Sequence, residues 1–590
     1  MKTLLTGNEA VAQGAWEAGL CYAAAYPGTP STEILENLAQ RPELVAEWAV
    51  NEKVALEAAI GASIAGARSL AAMKHVGLNV AADPLFTFAY TGVGGGAVIV
   101  NADEPGQFSS QNEQDNRWYA KSAKLPMLEP SDSGECLAMT KEAFALSERF
   151  DTPVLLRLTT RVCHSKSVVE TGARETYPLK EYQRQADKYV MVPANSRQRR
   201  VLLEERLAAL AEFSEATPLN YIADNSAATG VVVSGGCYHY AREVFGDSVD
   251  YLKLGFTHPL PERLISGFCA KHDKIYVIEE NDPYLEEAIQ RLGFRALGKS
   301  LFPKYGEMTP EVLRRAVLGQ TLPQPDYDAA GLVNRPPTLC AGCPHRGFFY
   351  ELGRRAQVIK CGDIGCYTLG FAPPFNALDT TICMGASISA AHGAAQALRA
   401  AGDQRPVVSV IGDSTFFHTG INSLMNTIYN NSPTVNVILD NRITGMTGHQ
   451  ENPGSGYNAQ GQAAPQLDIA ALVRAMGCQH IRTVDPNDLP AVRAALDELL
   501  ALDAPSVLIT RWPCALKRFS PADQAEFPAA FSAKYRVSPE ACIGCKRCLQ
   551  AGCPALSFQD GQAVINRLAC LGCGVCGQLC PKQAIQKEEA

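Results

Sequence analysis

The sequence predicts an α/β protein of several domains that closes in a small, separate α+β domain. Three observations predict it. Short apolar strand patterns alternate with helical stretches along most of the chain, as in AVIVNAD (97–103) and PVLLRLTT (153–160). The chain has 590 residues, which at roughly 150 per domain makes about four domains. Residues 541–590 differ from everything before them, with eight cysteines in two tight runs.

Residues 1–180 read as a mostly parallel sheet with Ala-rich helices such as KVALEAAIGASIAGA (53–67). Ligands of such sheets sit beyond the carboxyl ends of the strands, so three loops stand out. In AYPGTPSTEI (25–34), Gly28 allows close backbone approach, and Thr29, Ser31 and Thr32 offer hydroxyls. The same residues also read as a turn, with Ser31 or Thr32 capping a helix that begins near Glu33. In EWAVNEKVALEAA, Glu52 opens an apolar helix, where the helix dipole favours a carboxylate. DEPGQFSSQNEQDNRWY (103–119) is a long polar loop that runs into Arg117. Loops of that kind are either functional or simply solvated.

Residues 181–330 read as a linker, a connecting helix around VLLEERLAALAEF, and a compact βαβ domain. Its strands are GVVVSGG (230–236), YLKLGFTHPLP (251–261) and KIYVIEEND (274–282). The GGC at 235–237 suits a tight turn better than a phosphate cradle.

Residues 331–530 return to chemistry. A buried strand runs into Gly412-Asp413-Ser414, and a second one, VNVILD, runs into Asp440-Asn441. An acid at one strand end and an amide at the next can converge at the sheet's carboxyl edge. That set suits Mg²⁺, which takes one or two carboxylates plus phosphate oxygens. A helix N-cap at Asp413 and an Asx turn at Asp440-Asn441 explain the same residues without a metal. Cys340 and Cys343 form a CxxC, Cys361 and Cys366 bracket GDIG, and Cys514 follows Trp512-Pro513. Zinc, redox exchange and an iron–sulfur cluster all remain open for them.

In residues 531–590 the first run is Cys542, Cys545, Cys548 and Cys553, and the second is Cys570, Cys573, Cys576 and Cys580. The second is C-x2-C-x2-C-x3-C-P, the signature of a bacterial two-cluster ferredoxin. The first carries one extra residue before its Cys-Pro. In that pattern the fourth thiolate ligates the other cluster. Cluster one is therefore expected on Cys542, Cys545, Cys548 and Cys580. Cluster two is expected on Cys570, Cys573, Cys576 and Cys553, with the extra residue bulging the loop.

Composition narrows the rest. The chain is 46% hydrophobic and 19% charged, with a formal net charge of -8. That charge argues against a nucleic-acid binder. Scattered cysteines in so large a chain suit a reducing cytoplasm. No signal peptide and no membrane span are expected.

In order, the motifs AYPGTPSTE, VNEKVA, SSQNEQDNR, LCAGCPHR, GDIGCYTLG, ICMGAS, GDSTFFHTG, LDNRITGMTGHQ, WPCAL and the two ferredoxin runs cover nearly the whole chain. Together they resemble the thiamine diphosphate (TPP)-dependent 2-oxoacid:ferredoxin oxidoreductases, and most nearly the large subunit of the indolepyruvate enzymes. The resemblance implies two TPP-binding parallel-sheet domains, one for the pyrimidine (1–180) and one for the diphosphate and Mg²⁺ (331–530). A transketolase-C-like βαβ domain would lie between them (181–330), and a ferredoxin-like domain with two [4Fe–4S] clusters would follow (531–590). It implies oxidative decarboxylation of arylpyruvates to arylacetyl-CoA, with electrons leaving through the clusters to ferredoxin.

Asp413, Asn441 and the Ile443 carbonyl would hold Mg²⁺, within a cofactor site that includes Gly385, Gly412 and Ser414. The family's usual GDG and NN are GDS and Asp440-Asn441 here, which spares the metal-ligating atoms. Glu52 matches the glutamate that protonates the aminopyrimidine. Thr29 and Arg117 match contacts to the substrate carboxylate, and His75 is a candidate proton shuttle. Cys340, Cys343, Cys366 and Cys514 would hold a third [4Fe–4S] cluster, leaving Cys361 free. A separate small β (γ-type) subunit, a heterotetramer of two of each, and CoA complete the expectation, with no nucleic acid and no membrane. Another 2-oxoacid (pyruvate or 2-oxoglutarate), a non-catalytic electron-transfer subunit and a non-oxidative TPP decarboxylase are the competing readings. The ferredoxin-like tail argues against the last.

Overall fold

The structure, a computed structural model, describes residues 1–323, 329–333 and 335–588. Residues 589–590, the end of the expected tail domain, lie outside the described residues. The chain divides into two compact units, Met1–Tyr327 and Asp328–Ala590.

The first unit is built on a seven-stranded sheet. Its order is Phe256–His258, Met127–Leu128, Val154–Thr159, Ala97–Asp103, Ser69–Lys74, Tyr22–Ala25 and Val45–Trp48. All neighbours run parallel except Phe256–His258, which joins the edge antiparallel. Ala97–Asp103 and Val154–Thr159 are buried along their whole length. That is why both read as unbroken apolar runs: a parallel sheet is covered on both faces. Helices Gly7–Glu17, Thr32–Ala39 and Ser133–Phe150 supply Val11, Leu35 and Phe144 to the core on one face. Helices Glu52–Ile64 and Ala82–Thr91 supply Leu56 and Phe88 to the other.

A second sheet of the same unit has four strands, Lys274–Ile278, Thr229–Ser234, Asp250–Leu254 and Asn220–Ala223, the last antiparallel. The stretch expected as one strand, YLKLGFTHPLP, splits at Gly255. Asp250–Leu254 stays in this sheet, and Phe256–His258 crosses to the seven-stranded one. The segment 181–330 therefore does not close on itself.

Buried charges sit between the two sheets. Arg157 pairs with Asp103 at 2.7 Å and with Glu129, and Arg117 pairs with Asp115 and, at 2.6 Å, with Glu279. Neighbouring Glu280 is also buried, and burial pushes its pKa up to about 7. A folded-state pKa above the unfolded value means that the protonated acid favours the fold. This contribution is full below the ordinary carboxylate pKa of 4.5 and is lost as pH rises towards 7. Glu280→Gln is expected to stabilise the protein by about 1–3 kcal/mol at pH 8 and by little at pH 4.5. Thermal unfolding at the two pH values measures it; a gain equal at both would contradict the burial argument.

The second unit carries a six-stranded, wholly parallel sheet. Its order is Thr380–Thr381, Ile359–Gly362, Val407–Gly412, Thr434–Asp440, Ser506–Arg511 and His480–Val484. The tail adds two short antiparallel pairs, Tyr535–Val537 with Ile585–Lys587 and Leu556–Gln559 with Gln562–Ile565. Among the described residues no helix is long and apolar enough to cross a membrane.

Candidate functional site

The first unit carries its candidate residues just beyond the carboxyl ends of strands of the seven-stranded sheet. Glu52 is the first residue of the helix Glu52–Ile64, which Asn51 caps by accepting from the Val54 N–H at 2.9 Å. The Glu52 side chain is buried against Gly77, where an added Cβ would stand 2.7 Å from both its Cγ and its Oε1. The helix His75–Val80 can pass over this carboxylate only because residue 77 lacks a side chain.

His75 opens that helix and is fully buried. Its Nε2 lies 3.1 Å from the Asn112 carbonyl, so this nitrogen carries the proton. Burial, with Lys74 beside it, pushes the ring pKa down to about 4. An imidazole held neutral, with its N–H committed to a carbonyl, is a fixed hydrogen-bonding group. A proton shuttle at this position would require the ring to give up that hydrogen bond.

Arg117 departs from expectation. Its guanidinium is buried, and its donors are spent internally. Nε bonds Asp115 at 2.8 Å and Nη1 bonds Glu279 at 2.6 Å. Nη2 bonds Asp115 and the carbonyls of Glu280 and Asp282, the last two at 2.9 and 3.0 Å. A substrate carboxylate would have to displace buried ion pairs to reach it, so Arg117 is a cross-link within this unit. Thr29 is half-buried on its loop. The hydroxyls beside it are spoken for: Thr32 Oγ1 accepts from the Gly28 N–H at 3.0 Å, and Ser31 Oγ donates to the Gly28 carbonyl at 3.1 Å.

In the second unit, Val407–Gly412 and Thr434–Asp440 are adjacent parallel strands whose register pairs Gly412 with Leu439. Asp413 and Asp440-Asn441 therefore leave the sheet side by side at its carboxyl edge. The two acids are in different electrical positions. Asp440 is paired with Arg511 at 2.8 Å and lies 3.5 Å from Arg442. Asp413 accepts from neutral donors, the Ser414 N–H at 2.8 Å and Asn452 Nδ2 at 3.2 Å, with the Arg442 charge acting from farther off. Burial and the nearby Asp440 charge push its pKa up to about 7. A buried carboxylate without a cation is costly, and a divalent ion at Asp413 would supply the missing charge. The donor set thus fits Mg²⁺.

Asn441 Oδ1 accepts from the Ile443 N–H at 3.1 Å, which shapes the turn, and Thr444 Oγ1 donates to Ser414 Oγ at 2.8 Å. Gly385 precedes the helix Ala386–Ala400. Asp363 accepts from the Gly385 and Ser387 N–H groups at 2.8 and 2.9 Å and so holds this turn in place. Sequence reading passed over Asp363 and Asn452. The GDIG motif that contains Asp363 was the available signal for the first. Nothing local marks Asn452.

The cysteines fall into three sets. A small cavity of about 20 Å³ is lined by Cys542, Cys545, Cys548 and Cys580, and a second of about 20 Å³ by Cys553, Cys570, Cys573 and Cys576. Each takes three thiols from one run and one from the other. The extra residue of the first run is absorbed by a short turn, Arg547–Ala551, ahead of Gly552. Burial raises the Cys573 thiol to about 11, where neighbouring thiols add to the effect. Iron would reverse that preference by binding thiolates.

The third set is Cys340, Cys343, Cys366 and Cys514, whose thiols perturb one another: Cys343 feels Cys514 and Cys366, and both Cys366 and Cys514 feel Cys340. Cys514 also feels Asp413, and its N–H donates to the Asn441 carbonyl at 3.0 Å. Cys361 lies apart, packed with Ala391, Ala395 and Val407. Among the described residues no three such side chains converge tightly enough to hold a single ion.

Known proteins bear on this arrangement at each end of the chain. The family model described as Pyruvate flavodoxin/ferredoxin oxidoreductase, thiamine diP-bdg, matches residues 13–216. The Thiamine pyrophosphate enzyme, C-terminal TPP binding domain, matches 363–510, and a 4Fe-4S dicluster domain matches 534–581. Indolepyruvate oxidoreductase subunit IorA of Archaeoglobus fulgidus is 40% identical over 99% of this chain and 97% of its own length. The chain belongs to the IorA family. The IorA of Methanothermobacter marburgensis is likewise 40% identical, over 100% of this chain and 97% of its own. More distantly, 2-oxoglutarate synthase subunit KorA of A. fulgidus is 26% identical over 54% of this chain. As an IorA-family protein the chain is a thiamine diphosphate-dependent, iron–sulfur oxidoreductase. Asp363, missed from sequence, is the first residue of the matched C-terminal thiamine-binding domain.

Proposed function

We propose that this chain is the catalytic subunit of an enzyme that oxidatively decarboxylates arylpyruvates, indolepyruvate foremost. The balanced reaction is 2-oxoacid plus CoA plus two oxidised ferredoxins to acyl-CoA, carbon dioxide, two reduced ferredoxins and a proton. The observation that carries it is the meeting of Asp413, the acid suited to a metal–diphosphate, with Cys514 of a four-cysteine set. A non-oxidative decarboxylase has no use for an electron acceptor at that place, and an electron carrier has no use for the acid.

Thiamine diphosphate, when bound, supplies the electron sink for loss of carbon dioxide. The chain's own residues do the rest. Asp413, Asn441 Oδ1 and the Ile443 carbonyl are the proposed Mg²⁺ ligands, in the site that also includes Gly385, Gly412 and Ser414. Glu52 is proposed to hold a proton on the aminopyrimidine nitrogen, and the Thr29 hydroxyl to bond the substrate carboxylate.

Three [4Fe–4S] clusters are proposed. One is on Cys340, Cys343, Cys366 and Cys514, one on Cys553, Cys570, Cys573 and Cys576, and one on Cys542, Cys545, Cys548 and Cys580. Their order as electron carriers is supported by Arg346. This buried side chain bonds the Cys340 carbonyl at 2.9 Å and the Ala551 carbonyl at 3.1 Å, and it lines the second cavity. It thus bridges the first set to the second.

The curated relatives are named as subunits, which supports a separate small partner; two copies of each is the proposed assembly. The chain with its partner subunit, under anaerobic conditions with CoA and a panel of 2-oxoacids, is expected to reduce a viologen dye fastest with indolepyruvate. A preference for pyruvate or 2-oxoglutarate would overturn the substrate, and no turnover with any 2-oxoacid would overturn the function.

A further inference from the structure

With Arg117 committed elsewhere, the first unit needs another cation for an anionic substrate, and Lys74 is placed for it. Lys74 is the last residue of the strand Ser69–Lys74, at the carboxyl end of the parallel sheet where ligands gather. Its side chain is only 12% exposed. Buried ammonium groups are normally paired closely, and this one is not. Its carboxylate neighbour, Glu104, makes only a long contact at 3.8 Å, and its bond to the Ser109 carbonyl is 3.5 Å long. Glu104 meanwhile is held by other donors: Ser109 N–H at 2.9 Å, Ser109 Oγ at 2.8 Å and Ser110 Oγ. Desolvation lowers the Lys74 pKa, as expected of a charge with too little compensation.

The lysine stem also has a made path. An added Cβ on Gly28 would stand 3.1 Å from Lys74 Cγ and Cδ, so the stem lies closely along the loop that carries Thr29. Lys74 immediately precedes the helix that packs on Glu52, and the Glu52 charge reaches it.

We propose that the Lys74 ammonium binds the carboxylate of the 2-oxoacid substrate. This rests on the function proposed above. Lys74 takes the role that sequence similarity assigned to Arg117, and it does so as a point charge with free donors in place of a bidentate fork. Glu104, pinned by its serines, keeps the ammonium charged and aimed between substrate visits.

The test uses the complete enzyme, assayed anaerobically with its partner subunit. Lys74→Met keeps the length and removes the charge. It is expected to raise KM for the preferred 2-oxoacid about 10- to 100-fold, the range of a hydrogen bond to a charged group. Competitive inhibition by the unreactive analogue indole-3-lactate should weaken by a similar factor, and inhibition by the uncharged indole-3-acetamide should stay unchanged. Thiamine diphosphate affinity and iron content should match wild type. Lys74→Arg should recover part of the indole-3-lactate affinity. Unchanged KM and indole-3-lactate inhibition in Lys74→Met would overturn the assignment, as would equal weakening of both inhibitors, which marks a structural role. Wild type that turns over no 2-oxoacid would overturn the function itself, so the two failures are distinct.

Discussion

Replacing Glu52 with glutamine is expected to lower turnover of the assembled enzyme about 10²- to 10⁴-fold, the usual contribution of one positioned acid–base group. The side chain is buried at a helix start, pressed against Gly77, and has little room to move. Glutamine fills the same space, so the fold and the iron content should be unaffected and the loss should fall on kcat. Glu52→Asp, which shortens the reach, should fall between the two. The measurement is steady-state viologen reduction with saturating thiamine diphosphate. A glutamine variant within threefold of wild type would remove Glu52 from the chemistry.

The second large effect concerns the mid-chain cysteines. The quadruple Cys→Ser variant at Cys340, Cys343, Cys366 and Cys514 is expected to lose one cluster's share of iron and sulfide. The two tail clusters should remain, reducible by dithionite, while substrate no longer reduces them. That pattern would locate the missing carrier between the substrate and the tail. Cys361→Ser serves as the control and should retain full iron, since Cys361 packs among alanines and Val407 instead. Iron content unchanged in the quadruple variant would eliminate the third cluster.

The parts of the site legible in sequence are those encoded by local spacing. Two runs of cysteines at fixed intervals imply clusters because neighbouring thiolates wrap one face of a cage, and no distant residue is needed to see it. Gly412-Asp413 and Asp440-Asn441 were legible for a related reason. Each follows an unmistakable buried strand, and parallel neighbours deliver their ends to one edge. Asp363 was harder, because its carboxylate caps a turn that lies 22 residues on at Gly385.

Arg117 shows where such reading stops. Its motif, SSQNEQDNR, marks a functional loop, but nothing in the motif says which way the guanidinium turns. Asp115 is two residues away in sequence, but Glu279 is 162 residues away and draws the arginine inward. The split of YLKLGFTHPLP is a similar case. The stretch reads as one strand, and only the presence of Met127–Leu128 as a partner edge carries Phe256–His258 into the other sheet.

By itself, then, the sequence determined the fold class, the two tail runs and the strand ends that bear Asp413 and Asn441, since these depend on periodicity and short spacing. The tertiary structure decided which charges compensate one another. It tied Asp440 to Arg511 and gave Asp413 neutral hydrogen-bond donors, and it locked Arg117 into ion pairs and set Lys74 3.8 Å from Glu104. Those outcomes depend on burial and on partners far apart in the chain, where desolvation makes an unmatched charge costly enough to matter.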